Sequence, residues 1–254
     1  MKQNDKTKIY MKQNDKTKIY MKQNDKTKIY IASNFGGGVR KSTTMAYLYL
    51  TLISLGREPL LVALDTNDTL KDLLLKGTPL ITWDINNEDQ SHQNLAAILA
   101  EAYKEQKDVV IDVAALGGGS LGIHTLLDTQ MFELCELIAI VPILPTAKSI
   151  IEAQNAIKVI KPDKLVLIKY DTKRNSAIYD RLPEFKNLLK HKPDLIISPP
   201  ELTDGNAGAL RDCGYCLTHM EEACANNPIG HIGLRVFTKF WDNIRGQFEQ
   251  ISKL

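Results

Sequence analysis

The 254-residue chain lacks the features that define several large classes of protein. It has only four cysteines, too few for a disulfide-stabilised scaffold. No apolar run approaches the ~20 residues that a membrane span needs, and the polar N-terminus has no apolar segment typical of a secretory signal. The formal net charge is only +2, so overall charge indicates no partner. These absences favour a cytoplasmic globular protein.

The N-terminal region carries the decamer MKQNDKTKIY three times without a difference. A ten-residue period is not a known solenoid unit. One interpretation is a basic arm that binds an acidic partner. The interpretation we favour is a duplication or sequence artefact with the start at Met21. We therefore expect residues 1–20 to be a disordered or artefactual tail, and residues 21–254 to form one domain.

Downstream, short apolar segments alternate with helix-like segments. Strands are predicted at 28–33, 59–65, 108–113, 137–143, 164–170 and 194–198, and helices at 42–56, 69–77, 93–106, 147–160 and 233–254. Continuously apolar strands separated by helices are typical of a parallel sheet buried on both faces. The sequence therefore predicts a three-layer α/β/α fold with a mostly parallel sheet, whose ligands bind beyond the carboxyl ends of the strands.

The segment NFGGGVRKSTT begins directly after the first predicted strand. A phosphate-binding loop commonly reads G-x-x-x-x-G-K-[ST]. Lys41 and Ser42 stand where that motif requires them, but its two glycine positions hold Phe35 and Arg40. The glycines are bunched instead at residues 36–38.

The order of strand, glycine-rich turn and Lys-Ser-Thr is what a phosphate site needs, because glycines and the helix N-terminus present N–H groups to an anion. Lys41 would then reach the β- and γ-phosphates, Ser42 would bind Mg²⁺, and Thr43 would contact the α-phosphate. Asp112, at the end of another apolar strand, fits the Walker B role of holding Mg²⁺ through water. The alternative is an ordinary strand–turn–helix junction.

These residues resemble the ParA/MinD family of P-loop ATPases, whose deviant Walker A loop reads K-G-G-x-G-K-[ST]. PLLVALDTND resembles the family's D-x-D-P-Q strand, in which Asp65 matches the second acid and Ala63 replaces the first. VVIDVAALGGG resembles its Walker B strand. The resemblance covers roughly residues 21–250 and implies a P-loop ATPase that binds ATP and Mg²⁺.

The resemblance also assigns roles to individual residues. Lys41 and Asp65 are the catalytic candidates, with Asp65 positioning the attacking water or acting only as a helix cap or outer-shell magnesium contact. Ser42 and Asp112 are the metal candidates. The nucleotide-binding candidates are Gly36, Gly37, Gly38, Val39, Arg40, Lys41, Ser42 and Thr43.

Two departures from the family pattern bear on catalysis. The signature lysine, which reaches the partner subunit's nucleotide in this family, is replaced by Gly36, and the glycine before the loop lysine is replaced by Arg40. A missing cation removes transition-state charge stabilisation. Arg40 either replaces that charge in part or crowds the loop. We expect ATP binding with weak hydrolysis, or binding without hydrolysis.

Family members are nucleotide-dependent dimers that position cargo, which implies a homodimer and a partner protein. General likeness favours plasmid stability or conjugation proteins of the StbB or TraL kind. Non-specific DNA is another expected partner, although no strongly basic stretch is present. Its candidate contacts are Lys173, Arg174, Arg235, Lys239 and Arg245.

Three further segments leave alternatives open. Cys213 and Cys216 form a C-x-x-C that indicates a redox pair, half of a zinc site, an iron–sulfur site shared across a dimer as in ParA-like cluster scaffolds, or structural cysteines. The apolar stripe of the C-terminal helix indicates packing on the sheet, or membrane association of the MinD type. Tyr170 lies where relatives place an adenine-reading Asn, so ATP is favoured by resemblance alone, and Tyr170 is expected to pack at the strand end.

Overall fold

The structure is a computed structural model. It describes residues 26–64, 70, 79–82, 88–113, 124, 127–128, 133–170, 177–200 and 230–254. The repeated decamers of residues 1–20 lie outside this part of the chain. So do Asp65 and, apart from Leu70, the helix predicted at 69–77.

Strands and helices alternate along these residues. The strands are β1 (Lys28–Ala32), β2 (Leu60–Leu64), β3 (Ile81–Thr82), β4 (Val109–Val113), β5 (Glu136–Ile143), β6 (Lys164–Lys169) and β7 (Leu195–Ile197). The α-helices are α1 (Lys41–Ser54), α2 (Glu88–Glu105), α3 (Ala147–Ile160), α4 (Ala177–Arg181), α5 (Pro183–Leu188) and α6 (Gly230–Ser252). A 3₁₀ turn, Leu189–His191, follows α5.

All six predicted strands are present, and the helix predicted at 147–160 has these bounds in the structure. Strand β3 was not predicted, because two residues are too short for a periodic pattern. Helix α2 begins at Glu88 rather than at residue 93, and α6 begins at Gly230 rather than at residue 233.

The seven strands form one sheet in the order β3-β2-β4-β1-β5-β6-β7. Every strand pair is parallel, with Ile31 opposite Ile111 on one side of β1 and Ala32 opposite Ile140 on the other. Strand β1 therefore lies inside the sheet, between β4 and β5. This is a point where the strand order reverses, and in sheets of this kind ligands bind at such a point, beyond the carboxyl ends of the strands.

Side chains of β1 alternate between the two faces of the sheet, as a strand buried on both sides requires. Tyr30 and Ala32 belong to a core shared with α1 and α6, whereas Ile29 and Ile31 belong to a core shared with α2. A third core joins β5 and β6 to α3, α4 and α5. The predicted three-layer α/β/α architecture is therefore confirmed.

Helix α6 uses its apolar stripe for packing within the molecule. Phe240, Ile244, Phe248 and Ile251 are all buried. The ring of Tyr47 on α1 makes edge contacts with Phe240 and Phe248, at centroid distances of 6.1 and 5.9 Å. These four side chains are therefore part of the core, as the packing interpretation predicts, and are not an exposed membrane-binding stripe. Within the described part of the chain, no helix is long and apolar enough to cross a membrane.

Candidate phosphate-binding site

The glycine-rich loop, residues 34–43, leaves the carboxyl end of β1 and enters α1. Because β1 lies between β4 and β5, the loop sits over the middle of the sheet rather than at an edge. The Ser33 N–H donates to the carbonyl of Ile140 at 2.8 Å, which extends the β1–β5 pairing to the start of the loop. The fold thus fixes where the loop begins.

The first and third glycines of the loop have different geometric reasons to be glycine. A Cβ at Gly36 would lie 3.1 Å from Asn34 Oδ1 and 3.3 Å from a methyl carbon of Val39, which is tighter than normal contact. Gly38 has open space around it but a φ of +69°, a left-handed conformation that glycine adopts at little cost. Gly37 and Gly38 are exposed, whereas Gly36 is buried. The turn therefore presents backbone to solvent without side chains in the way.

The Asn34 side chain fixes the first turn of the loop through three hydrogen bonds. Its Oδ1 accepts the Gly36 N–H at 2.8 Å. Its Nδ2 donates to the carbonyl of Pro142 on β5 at 2.8 Å and to the carbonyl of Ser149 on α3 at 3.2 Å. The side chain is 2% exposed. One buried amide therefore ties the loop to the neighbouring strand and to the helix that follows it.

Lys41, the first residue of α1, reaches back over the loop. Its Nζ donates to the carbonyl of Gly36 at 2.8 Å, and the residue is 7% exposed. The Gly36 peptide is thus held on both sides, its N–H by Asn34 and its carbonyl by Lys41. The ammonium is therefore placed where it can meet an anion in the loop.

The N-terminus of α1 is open to an anion. No side chain of the preceding residue caps it, and its first turn carries no acidic residue. The first N–H groups of a helix have no partner within the helix, and the helix dipole makes this end positive. The Ser42 and Thr43 side chains are half-buried in the same turn. This is the chemistry of a phosphate site.

Arg40 occupies a conformation that arginine rarely adopts. Its φ and ψ are 68° and 31°, in the left-handed region. Its guanidinium carbon lies 5.0 Å from the centre of the Tyr170 ring, and Tyr170 follows β6. The Tyr170 hydroxyl lies 2.9 Å from Thr44 Oγ1, and the Thr44 hydroxyl lies 2.7 Å from the carbonyl of Arg40, to which it donates. Thr44 and Tyr170 therefore secure both the backbone and the side chain of Arg40.

Asp112 is the buried carboxylate of this region. It lies near the carboxyl end of β4, is 2% exposed, and stands opposite Ala63 of β2. Ala63 stands where the D-x-D-P-Q pattern has its first acid, so a methyl group rather than a second carboxylate lies opposite Asp112. Asp65 lies outside the described residues.

A magnesium ion fits the donor types at this site. Mg²⁺ typically takes one or two protein oxygens and completes its shell with phosphate and water. The Ser42 hydroxyl and the Asp112 carboxylate supply such oxygens. Within the described ranges, no three His, Cys, Asp or Glu side chains cluster as a metal site that would need no phosphate.

Two residues that support the site were not predicted from the sequence. Asn34 carries no motif of its own, and its partners Pro142 and Ser149 are more than 100 residues away along the chain. Thr44 reads as an ordinary helix residue. The only available signal was that Ser33 and Asn34 are polar and directly follow the apolar residues 29–32 of the first strand. Tyr170 was expected to pack at the strand end, and it is 1% exposed there.

The remaining candidates are placed as follows. The C-x-x-C pair, Cys213 and Cys216, lies outside the described residues, as do Lys173 and Arg174 and the Arg235 side chain. Lys239 and Arg245 are exposed on α6, and Arg245 lies 3.6 Å from Asp242. Cys135 is buried beside β5, and burial raises the pKa of its thiol to about 11.

Comparison with solved structures identifies proteins of the same fold. The MinD cell division protein of Aquifex aeolicus aligns with a TM-score of 0.53 at 16% identity, over 90% of this chain and 97% of that one. An ATP complex of a McdA variant from Cyanothece gives 0.54 at 12%, over 89% and 98%. pNOB8 ParA bound to nonspecific DNA gives 0.53 at 17%, over 89% and 99%.

No family model and no curated protein matches the chain by sequence. What the chain shares with these structures is the fold, here a parallel sheet with β1 inside it and a glycine-rich loop that leads from β1 into α1.

Proposed function

We propose that the chain is a ParA/MinD-like nucleotide-binding protein whose glycine-rich loop holds the phosphates of Mg-ATP. The observation that carries the proposal is the position of Lys41, whose ammonium lies 2.8 Å from the carbonyl of Gly36 in a turn that exposes Gly37 and Gly38. A lysine in that place meets an anion that enters the loop. The N–H groups at the start of α1 supply further donors.

In this proposal each loop residue has a separate task. Lys41 binds the β- and γ-phosphates, and Thr43 contacts the α-phosphate. Ser42 and Asp112 hold Mg²⁺, which neutralises phosphate charge when bound. Residues 36–40 contribute backbone N–H groups. The domain that performs this function corresponds to residues 21–254, and we place the protein in the cytoplasm.

Hydrolysis is expected to be weak. Gly36 carries no cation, and the Cβ of any side chain there would lie 3.1 Å from Asn34 Oδ1. Phosphoryl transfer is catalysed largely by positioning and charge, so loss of a cation lowers the rate of turnover more than it lowers affinity. Asp65 is our candidate for positioning the attacking water. Replacing Asp65 by Asn should lower steady-state phosphate release while leaving the dissociation constant for ATP within about threefold.

We further propose that ATP acts as a dimerisation switch and that the dimer engages a partner. The partner we favour is a plasmid-partition or conjugation protein. Non-specific DNA is a second partner, suggested by the likeness in fold to pNOB8 ParA, whose structure was solved bound to nonspecific DNA.

Sedimentation velocity on a chain that starts at Met21 tests the switch. We expect a monomer with ADP and a dimer with Mg-ATP, and a monomer in both conditions for Lys41→Ala. An unchanged sedimentation coefficient with saturating Mg-ATP would contradict the switch, even if ATP binds.

A further inference from the structure

The loop contains an arginine at a position that favours glycine. A left-handed conformation costs an L-residue about 1–2 kcal/mol, which glycine avoids. Arg40 nevertheless adopts it, directly before the lysine of the loop. Its guanidinium carbon lies over the Tyr170 ring, 5.0 Å from the ring centre.

The contacts of Arg40 lead through Tyr170 and Thr44 back to Arg40 itself. The guanidinium lies over the Tyr170 ring, the Tyr170 hydroxyl is hydrogen-bonded to Thr44 Oγ1, and the Thr44 hydroxyl donates to the carbonyl of Arg40. Tyr170 is fixed in turn, because the Tyr179 hydroxyl lies 2.7 Å from its carbonyl oxygen. Tyr170 and Thr44 are buried, whereas Arg40 is half-exposed. The buried Tyr170 and Thr44 thus hold the permanently charged Arg40 at the surface of the site.

We propose that the guanidinium of Arg40, and not only its backbone, binds the nucleotide and contacts the phosphate nearest the ribose from within the same subunit. This inference rests on the proposed function and adds a side-chain contact to it. Guanidinium groups bind phosphate oxygens with charge-assisted hydrogen bonds, and the contact with the Tyr170 ring restricts the position of the guanidinium before a ligand binds. The ligand class is a nucleoside di- or triphosphate.

The Arg40 and Lys41 side chains reach different groups from adjacent positions. The Lys41 Nζ contacts the carbonyl of Gly36 at the start of the loop, whereas the Arg40 guanidinium lies over the ring of Tyr170, which follows β6. Strand β6 is two strands away from β1, and two strand spacings amount to roughly 10 Å. Because the proposed function assigns the β- and γ-phosphates to Lys41, the phosphate left for Arg40 is the one nearest the ribose, which ATP and ADP share.

The test compares dissociation constants for Mg-ATP and Mg-ADP in the wild type, Arg40→Gly, Arg40→Lys and Lys41→Ala. Loss of a charge-assisted phosphate contact typically weakens binding by roughly tenfold or more. We expect Arg40→Gly to weaken both nucleotides by this factor. Arg40→Lys keeps the charge without the planar fork, and should restore part of the affinity.

Thermal unfolding separates binding from a purely structural role. Arg40→Gly relieves the left-handed backbone and loses the stack on Tyr170, so the melting temperature should not fall while affinity does. Lys161 provides the matched control, because it is also a cation with a positive φ, 45°, at the C-terminus of α3. It precedes β6, at the opposite end of that strand from Tyr170. Lys161→Gly should leave both dissociation constants unchanged.

Three outcomes would overturn the inference. If Arg40→Gly binds both nucleotides as tightly as the wild type while Lys41→Ala does not bind, the proposed function stands and the role of Arg40 is refuted. If only ATP binding weakens, Arg40 acts on the γ-phosphate, contrary to the inference. If the wild type binds neither nucleotide, the proposed function and the inference fail together.

Discussion

Replacing Asn34 by leucine removes the group that joins the loop to the rest of the site. Leucine has a similar volume but makes no hydrogen bonds. The substitution deprives the Gly36 N–H and the carbonyls of Pro142 and Ser149 of the Asn34 side chain. All three contacts are buried, so water cannot simply replace the amide.

The cost can be worked from these contacts. A hydrogen bond contributes about 1 kcal/mol net, and a buried group left without a partner costs about 1–3 kcal/mol. Local relaxation will recover part of the loss. We therefore expect Asn34→Leu to lower the free energy of unfolding by about 2–4 kcal/mol. For a domain of this size that corresponds to a fall in melting temperature of roughly 5–15 °C.

Differential scanning calorimetry measures the effect, with Gln154→Leu as the control. Gln154 donates one hydrogen bond, at 2.8 Å to the carbonyl of Glu184, in a half-buried position on the same helix as Ser149. The Gln154→Leu substitution should lower the free energy of unfolding by only about 1 kcal/mol. Nucleotide affinity should fall for Asn34→Leu and not for the control, because Asn34 contacts the Gly36 peptide whereas Gln154 contacts the carbonyl of Glu184. Equal melting temperatures for the two variants would refute the stabilising role of the three Asn34 hydrogen bonds.

Three other predictions concern buried or strained positions. Phe248→Ala, in the ring pair with Tyr47, should destabilise the fold by about 3–5 kcal/mol in urea unfolding; a loss below 1 kcal/mol would argue against the packing of α6. Gly38→Ala should cost about 1–2 kcal/mol at its φ of +69° although nothing would clash with the methyl group, and an unchanged unfolding midpoint would contradict this. Burial raises the pKa of the Cys135 thiol from 9.0 to about 11, so its contribution to stability is full below pH 9 and is lost as pH rises towards 11. A Cys135→Ala variant should therefore lose less stability than the wild type between pH 8.5 and 10, and an identical pH dependence would contradict the shift.

The fold was largely predictable because the strands are short, continuously apolar and bounded by turn residues. Burial on both faces of a parallel sheet produces that pattern, and Val109–Val113 shows it clearly, with every residue buried. Strand β3 could not be found in this way, since Ile81 and Thr82 carry no periodicity. Its place is set by pairing with Val62 and Ala63.

The site was predictable only where chemistry depends on local spacing. Lys41 follows from its distance along the chain to the glycines, and Asp112 from its position at the end of an apolar strand. The support from Asn34 depends on Pro142 and Ser149, which only the folded sheet brings near. The sequence shows that Arg40 replaces a glycine, but it does not contain the left-handed φ or the Tyr170 ring beneath the guanidinium.

The central claim is that the glycine-rich loop binds nucleotide through Lys41. Isothermal titration of Mg-ATP into the chain starting at Met21, beside Lys41→Ala, tests it most directly. We predict saturable binding with one nucleotide per chain, and loss of that binding in the variant while its melting temperature without nucleotide stays within a few degrees of the wild type. Binding that survives Lys41→Ala, or no binding by the wild type, would contradict the claim.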